Sequence, residues 1–186
     1  ATDARVLDIG AGGSSYDRYF PNRVTIDIDP ARKPDIVADA HALPFTDGEF
    51  TTILCTEVFE HVRDPRRVAS EMARVLAPGG TLILTTRFVY PLHDTPHDHW
   101  RFTKYALRDI FADWDIVTLE PEAGTFSTIG VLLQRIGFQT KLRGGKVTKA
   151  GIYALAWVFD HLNWLVVEEY GDIKRSVTET DILASG

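Results

Sequence analysis

Through residue 121 the chain alternates short apolar runs with segments of helical spacing. Arg5 to Ile9 reads as a buried strand that opens into Gly10-Ala11-Gly12-Gly13-Ser14, and Ser15 to Phe20 then has helical spacing. Val24 to Asp27, Ile36 to Asp39 and Phe50 to Thr56 read as strands two to four. Pro65 to Leu76 predicts a helix, with Pro65 in its first turn and Val68, Met72, Val75 and Leu76 on one face. Pro78-Gly79-Gly80 predicts a tight turn before a fifth strand, Thr81 to Thr86. Thr103 suits the cap of a helix reaching about Asp113, and Ile116 to Leu119 reads as a sixth strand. Strands alternating with helices predict an α/β, doubly wound, mostly parallel sheet with right-handed crossovers.

Beyond residue 121 the pattern changes. Two helical stretches follow, about 126–138 and 148–169, and the second is broadly apolar but interrupted by Asp160, His161 and Asn163. Gln139 to Lys149 between them carries Lys141, Arg143, Gly144, Gly145, Lys146 and Lys149 and reads as a mobile basic loop. The expected division is a ligand-binding core over 1–121 and a C-terminal helical cap over 122–186, both within one domain. The cap's breadth of apolar surface also suits a homodimer interface or contact with a membrane surface. His161 is expected to be structural.

Lys and Arg number 20 against 26 Asp and Glu, a formal net charge of −6. That balance gives no electrostatic footprint for nucleic acid. Cys55 is the single cysteine, so no disulfide forms within the chain, and a cytoplasmic location is expected. No signal peptide or transmembrane run is visible, and the apolar stretch Ala150 to Phe159 is too short to span a bilayer. The chain begins almost on its first strand and ends at Ser185-Gly186, where a last sheet strand would stand, so both ends read as trimmed.

A strand, a glycine turn and a helix form the unit at which open α/β sheets bind nucleotides. A dinucleotide fingerprint starting at Gly10 needs glycine at position 15, where the chain has Ser15. That weakens a nicotinamide-dependent oxidoreductase reading. Asp8 adds a carboxylate just before the first glycine, which opposes a pyrophosphate and suits a ligand with an ammonium group, such as S-adenosylmethionine. Asp27 ends strand two, where a carboxylate accepts both ribose hydroxyls. Asp39 ends strand three, where a carboxylate accepts an adenine amine. Any one of these acids could simply cap a turn, but three at successive strand ends on one sheet edge favour a ligand.

The segments "VLDIGAGG", "VTIDIDP", "VADAHALPF", "CTEVFEHV" and "RVLAPGGTLILTT" together resemble the class I S-adenosylmethionine-dependent methyltransferases. They run in that family's order and spacing over residues 5 to 86. The resemblance implies a Rossmann-like sheet in the order 3-2-1-4-5-7-6, with strand seven missing if the chain is trimmed. It also implies S-adenosylmethionine as cofactor and S-adenosylhomocysteine as product, held by Asp8, Gly10, Gly12, Asp27, Ile28, Asp39, Ala40 and Thr56. Ser14 and Thr51 depart from the usual pattern without changing the cofactor. "YPLHDTPHDHWRFT" resembles a branch that methylates small molecules and cell-envelope sugars or lipids. The Asn-Pro-Pro-aromatic element typical of amino methylation of nucleic acids and proteins is absent after strand four. The implied acceptor is an oxygen or nitrogen atom of a small molecule, sugar or lipid head group. A non-catalytic module that binds an adenosyl ligand is the rival reading.

Methyl transfer from a sulfonium is an in-line displacement, and alignment alone can supply roughly 7–11 kcal/mol. A base is needed only for a weakly acidic hydroxyl or a protonated amine. His61, five residues beyond strand four, is the leading candidate, with His97 and His93 next. Each could instead brace a loop, and Glu57 and Glu60 share that ambiguity. His93 to His99 holds three histidines and two aspartates, yet Pro91 and Pro96 and the Asp98-x-Trp100-Arg101-Phe102-Thr103 portion point to a loop walling the acceptor site, so no metal is expected. His41 is expected to line the adenine side or face solvent.

Overall fold

The computed structural model describes residues 5–12 and 16–166. The sequence readings at Ser14, Ser15, residues 167–169 and Ser185-Gly186 fall outside them. The described residues form two compact units, divided between Leu119 and Glu120.

The first unit holds five strands in the order β3-β2-β1-β4-β5. They are β1 (Val6–Ile9), β2 (Val24–Asp27), β3 (Ile36–Val37), β4 (Phe50–Thr56) and β5 (Leu76–Thr85), and all pair parallel. β1 is buried throughout, as a central parallel strand covered on both faces must be. From β3 the chain crosses back over β1 to pair as β4, so the strand order reverses between β1 and β4. Open α/β sheets bind ligands outside the carboxyl ends of their strands at such a switch point.

α1 (Pro65–Val75) begins where its sequence says it should. Asp64 accepts from the Arg67 amide at 3.0 Å, and Pro65 occupies the first turn, where no amide partner is lost. Val68, Ala69, Met72 and Val75 are buried and join Leu7, Ile26, Phe50, Ile53 and Cys55 in one core. Glu71 lies buried on the same helix, where its Oε2 accepts from the Leu43 amide at 2.8 Å and pairs with Arg74. Arg74 in turn donates to the carbonyls of Leu43 and Phe45 and fixes that loop. α2 (Lys104–Ile110) is capped by the Thr103 hydroxyl, as the sequence predicts.

Several expectations are corrected. The segment after the glycine turn is one short 3-10 turn, Tyr16–Arg18. β3 is a two-residue exposed edge strand, and Asp39 lies just beyond it. Pro78-Gly79-Gly80 does not separate a helix from a strand, because β5 already starts at Leu76. Phe50 pairs with Leu76 and Thr52 with Thr81, so the turn is looped out of the strand, with Gly79 at φ 76°. Ile116 to Leu119 forms no strand, and Val117 is 94% exposed. In the expected order a sixth strand pairs only with a seventh, and none is present among the described residues.

The second unit contains α3 (Thr125–Gln139) and α4 (Gly145–His161), followed by a 3-10 turn at Leu162–Leu165. A Cβ on Gly130 would lie 2.9 Å from the Ala156 carbonyl oxygen, and one on Gly137 2.9 Å from the Tyr153 ring. The two helices therefore approach through their glycines. The expected long loop shrinks to residues 140–144. Gly144 makes the turn at φ 82°, and Lys146 and Lys149 ride on the first turns of α4. His161 Nδ1 donates to the Trp157 carbonyl at 2.8 Å, a structural role. No helix among the described residues is long and apolar enough to cross a membrane.

Candidate functional site

The carboxyl ends of β1, β2 and β3 carry the first group of expected residues. Gly10 takes φ 70°, its amide donates to the Ile26 carbonyl at 2.8 Å, and any side chain there would collide with Val58. Asp27 receives the Gly12 amide on Oδ2 at 3.3 Å and the Asp29 amide on Oδ1 at 2.9 Å. A carboxylate offers about four acceptor positions, so Asp27 keeps capacity for a diol. Ile28, next in the chain, is 69% exposed, a large apolar surface beside that carboxylate. Asp39 uses Oδ1 for the His41 amide and ring, at 2.9 and 2.6 Å, while Oδ2 accepts no hydrogen bond among the described residues. Burial pushes the Asp39 carboxyl up, but His41 and Arg63 outweigh it and hold the group below its ordinary value. Ala40 is half-buried beside it. This set, with two carboxylates and an exposed aliphatic residue, has the chemistry to meet an adenosyl group, and Arg32 stands at its edge, donating to the Gly12 carbonyl at 3.2 Å.

Asp8 is placed differently from the sequence expectation. Its carboxylate is 1% exposed, and the Arg23 Nε donates to Oδ2 at 2.8 Å. Arg23 also pairs with Asp17. The cation facing Asp8 in the structure is therefore a residue of the chain itself. His41 is likewise neither solvated nor a lining residue alone. It bridges Asp39 to the start of α1, accepting from the Asp64 amide on Nε2 at 3.1 Å.

Thr56 ends β4 and receives the Tyr16 hydroxyl at 3.4 Å. Immediately after it, Glu57 adopts φ 58°, a left-handed conformation uncommon for a non-glycine residue. Thr85 donates to Glu57 Oε1 at 2.9 Å, and Arg87 forms an ion pair with Oε2. The next turn, Phe59–His61, carries the leading histidine.

Beyond β5 the 86–102 loop is tied to that turn throughout. Thr86 donates to Glu60 Oε2 at 2.8 Å, and the amides of His99 and Trp100 both donate to the Glu60 carbonyl at 3.0 Å. The Trp100 indole donates to the Val62 carbonyl at 2.8 Å. Arg101 grips Asp98 with two bonds of 2.5 and 2.7 Å, and Phe102 enters the core. The structure thus brings His61 and His93 together, with ring centroids 4.7 Å apart. His97 contributes its carbonyl, which accepts from His61 Nδ1 at 3.0 Å, while its ring is exposed. Glu60, fully buried beneath them, completes a group of ligand-bearing side chains that the spacing within 93–99 could not reveal. Arg23, Tyr16 and Arg87 also escaped sequence reading, because nothing local marks an arginine as the partner of a strand-end acid.

The Arg101 guanidinium holds the Asp98 carboxyl well below the usual carboxylate range, against the opposing effect of burial. A depressed folded value means that the contribution of Asp98 is complete above its unfolded value of about 3.9 and is lost as pH falls below that. The 86–102 loop is therefore expected to stay closed down to about pH 4 and to loosen in stronger acid. Asp98→Asn should loosen it already at neutral pH, at a cost of about 3 kcal/mol, because the Asp98 side chain is 1% and that of Arg101 25% exposed. Amide hydrogen exchange of Trp100 and Phe102 reads the effect, and equal protection in variant and parent at pH 7 would contradict it.

Residues 7–84 match the family described as Methyltransferase domain. Demethylmenaquinone methyltransferase of Renibacterium salmoninarum is 35% identical over 101 residues, which cover 47% of this chain and 42% of that protein. The chain spans about half, or less, of the length of the curated relatives it matches. Among solved structures, a SAM-dependent methyltransferase from Aquifex aeolicus has a TM-score of 0.50 at 17% identity, covering 59% of this chain and 70% of that one. The [4+2]-cyclase SpnF has a TM-score of 0.59 at 17% identity, covering 85% of this chain and 70% of that one. These two likenesses show the fold, and one fold hosts more than one chemistry.

Proposed function

We propose that the chain is a class I S-adenosylmethionine-dependent methyltransferase that transfers a methyl group to an oxygen or nitrogen atom of a small molecule, sugar or lipid head group. The observation that carries this reading is the arrangement around the end of β4. Acids and an exposed aliphatic residue suited to an adenosyl group lie on the β1–β3 side, and the buried Glu60 with His61 and His93 lies on the β5 side. The relative that acts on demethylmenaquinone supports a small-molecule acceptor.

When bound, the cofactor supplies a methyl group on a sulfonium, an already activated donor. The chain's own task is then to bind, align and exclude water. Asp27 takes the ribose diol, Ile28 packs on the adenine, and Asp39 with Ala40 meets the adenine edge. Gly10 and Gly12 let the main chain approach the methionine and ribose portion. Asp8 acts through Arg23 to hold the glycine turn in place, and Thr56 with Tyr16 closes the β4 end. Glu60, His61 and His93 face the acceptor, and His97 orients His61 through its carbonyl. The thiol of Cys55, pushed up to about 12 by burial, takes no part. A cytoplasmic location suits this lone, buried cysteine. The exposed Trp157 and Trp164 of the helical unit suit contact with a second copy of the chain.

Asp27→Ala is expected to weaken cofactor binding by about 1.5–3 kcal/mol, the size of charged hydrogen bonds lost. Isothermal calorimetry with S-adenosylhomocysteine measures it, and an unchanged affinity would remove Asp27 from the site. In the parent protein, thermal stabilisation by S-adenosylhomocysteine but not by NADH separates this reading from an oxidoreductase. A methyl-transfer assay on small hydroxyl and amino compounds then separates an enzyme from a non-catalytic binder.

A further inference from the structure

We propose that Glu60, His61 and His93 hold a divalent ion of the zinc class at the acceptor end of the site. One ligand atom from each of the three side chains lies within 4.8 Å of the others. Two imidazole nitrogens and one carboxylate oxygen form a set that zinc accepts, with a fourth position left open. Ligands at about 2.1 Å from a tetrahedral ion lie about 3.4 Å apart, so the three atoms need to close by about 1 Å, a matter of side-chain rotation. His61 and His93 are only half-buried and have room for it.

Glu60 is the observation that asks for a cation. Its side chain is 0% exposed, Oε2 accepts from Thr86, and Oε1 has no hydrogen-bond partner among the described residues. A buried carboxylate oxygen left so is costly unless something positive meets it. His93 Nε2 lies 3.9 Å away, beyond hydrogen-bond distance.

The groups behind the two histidines fit the same reading. A carbonyl oxygen only accepts, so His61 Nδ1, 3.0 Å from the His97 carbonyl, carries the proton and leaves Nε2 with a lone pair. His93 Nδ1 lies 3.3 Å from Asp98 Oδ2 without hydrogen-bond geometry, and the His93 amide donates to that same oxygen at 2.9 Å, so the carboxylate, fixed in turn by Arg101, stands behind this imidazole. A carbonyl or carboxylate behind each imidazole is what orients metal-binding histidines. The expectation of a metal-free loop considered only ligands within 93–99. The set is built instead from the turn after β4 and one residue of that loop, and the His97 ring is outside it.

The consequence for catalysis rests on the methyl-transfer reading, but the binding itself does not. An acceptor hydroxyl on the open position would lose its proton to solvent more readily, and its oxygen would then be the nucleophile.

The test is calorimetric titration of the chelator-treated full chain with Zn²⁺, alongside S-adenosylhomocysteine titration of the same preparation. One equivalent of Zn²⁺ should bind, and Mg²⁺ should bind far more weakly. His61→Ala and His93→Ala should each weaken Zn²⁺ binding at least a hundredfold, with S-adenosylhomocysteine affinity unchanged within about twofold. Glu60→Gln should do the same if it folds, and the half-buried histidine variants keep the test decisive if it does not. No stoichiometric Zn²⁺ binding, equal affinity in the histidine variants, or equally tight Mg²⁺ binding would each overturn the inference. If S-adenosylhomocysteine binds and Zn²⁺ does not, the metal site falls and the methyltransferase reading stands. If Zn²⁺ binds and S-adenosylhomocysteine does not, the metal site stands and the cofactor reading falls.

Discussion

Phe59→Ala is expected to lower stability by about 3–5 kcal/mol, the range for emptying a large aromatic position in a core. Phe59 is 0% exposed, and its ring centroid lies 5.1 Å from that of Phe102 and 5.6 Å from that of Phe111. These three rings join the turn after β4, the end of the 86–102 loop and the residue that caps α2. A cavity there removes the floor beneath Glu60 and His61, so turnover should fall further than the unfolded fraction alone explains. Phe59→Leu fills most of the space and should cost less than about 1.5 kcal/mol. Urea unfolding at 25 °C measures both variants. A loss below 1 kcal/mol for the alanine variant would mean that the three rings do not anchor the turn.

Local signals made much of this architecture legible. β2 and β4 end where their apolar runs end, and α1 starts where Asp64-Pro65 says it should, because a buried parallel strand and a capped helix are written in adjacent residues. The structure also bears out Thr103 as the cap of α2 for the same reason. Features that depend on a distant partner were not legible. Ile116 to Leu119 has a strand's composition but no neighbour to pair with among the described residues. Pro78-Gly79-Gly80 is a turn by composition, yet pairing between Leu76 and Phe50 draws the residues before it into β5. Gly144 and Gly145 read as loop, whereas their positive φ angles make the turn and leave Lys146 on the helix. In the candidate site, the acids at the strand ends could be found from sequence because their order along the chain mirrors their order on the sheet edge. Glu60 and His93 lie 33 positions apart, and their segments meet through hydrogen bonds from Thr86, His99 and Trp100 to Glu60, from His61 to the His97 carbonyl and from the Trp100 indole to the Val62 carbonyl.

Arg23→Ala is expected to cost about 3–5 kcal/mol, as large a loss as any in the core, although no motif marks this residue. The side chains of Arg23 and Asp8 are 6% and 1% exposed, so the pair is buried on both sides. Truncating the arginine leaves the Asp8 carboxylate in the interior without its guanidinium, which is far costlier than losing the pair as a whole. Asp8→Asn combined with Arg23→Gln should therefore be more stable than Arg23→Ala, and a double-mutant cycle gives the coupling directly. The same variant decides what Asp8 does for the cofactor. If Arg23 and Asp8 together hold the glycine turn, Arg23→Ala loosens Gly10 and Gly12 and weakens S-adenosylmethionine binding. If Asp8 instead meets the methionine ammonium directly, the ligand's positive charge replaces the lost guanidinium. Saturating S-adenosylmethionine would then restore more stability to the variant than it adds to the parent. Thermal unfolding of both proteins with and without the cofactor separates the two roles. A smaller ligand-induced shift in the variant is expected, and a larger one would return Asp8 to direct contact with the cofactor.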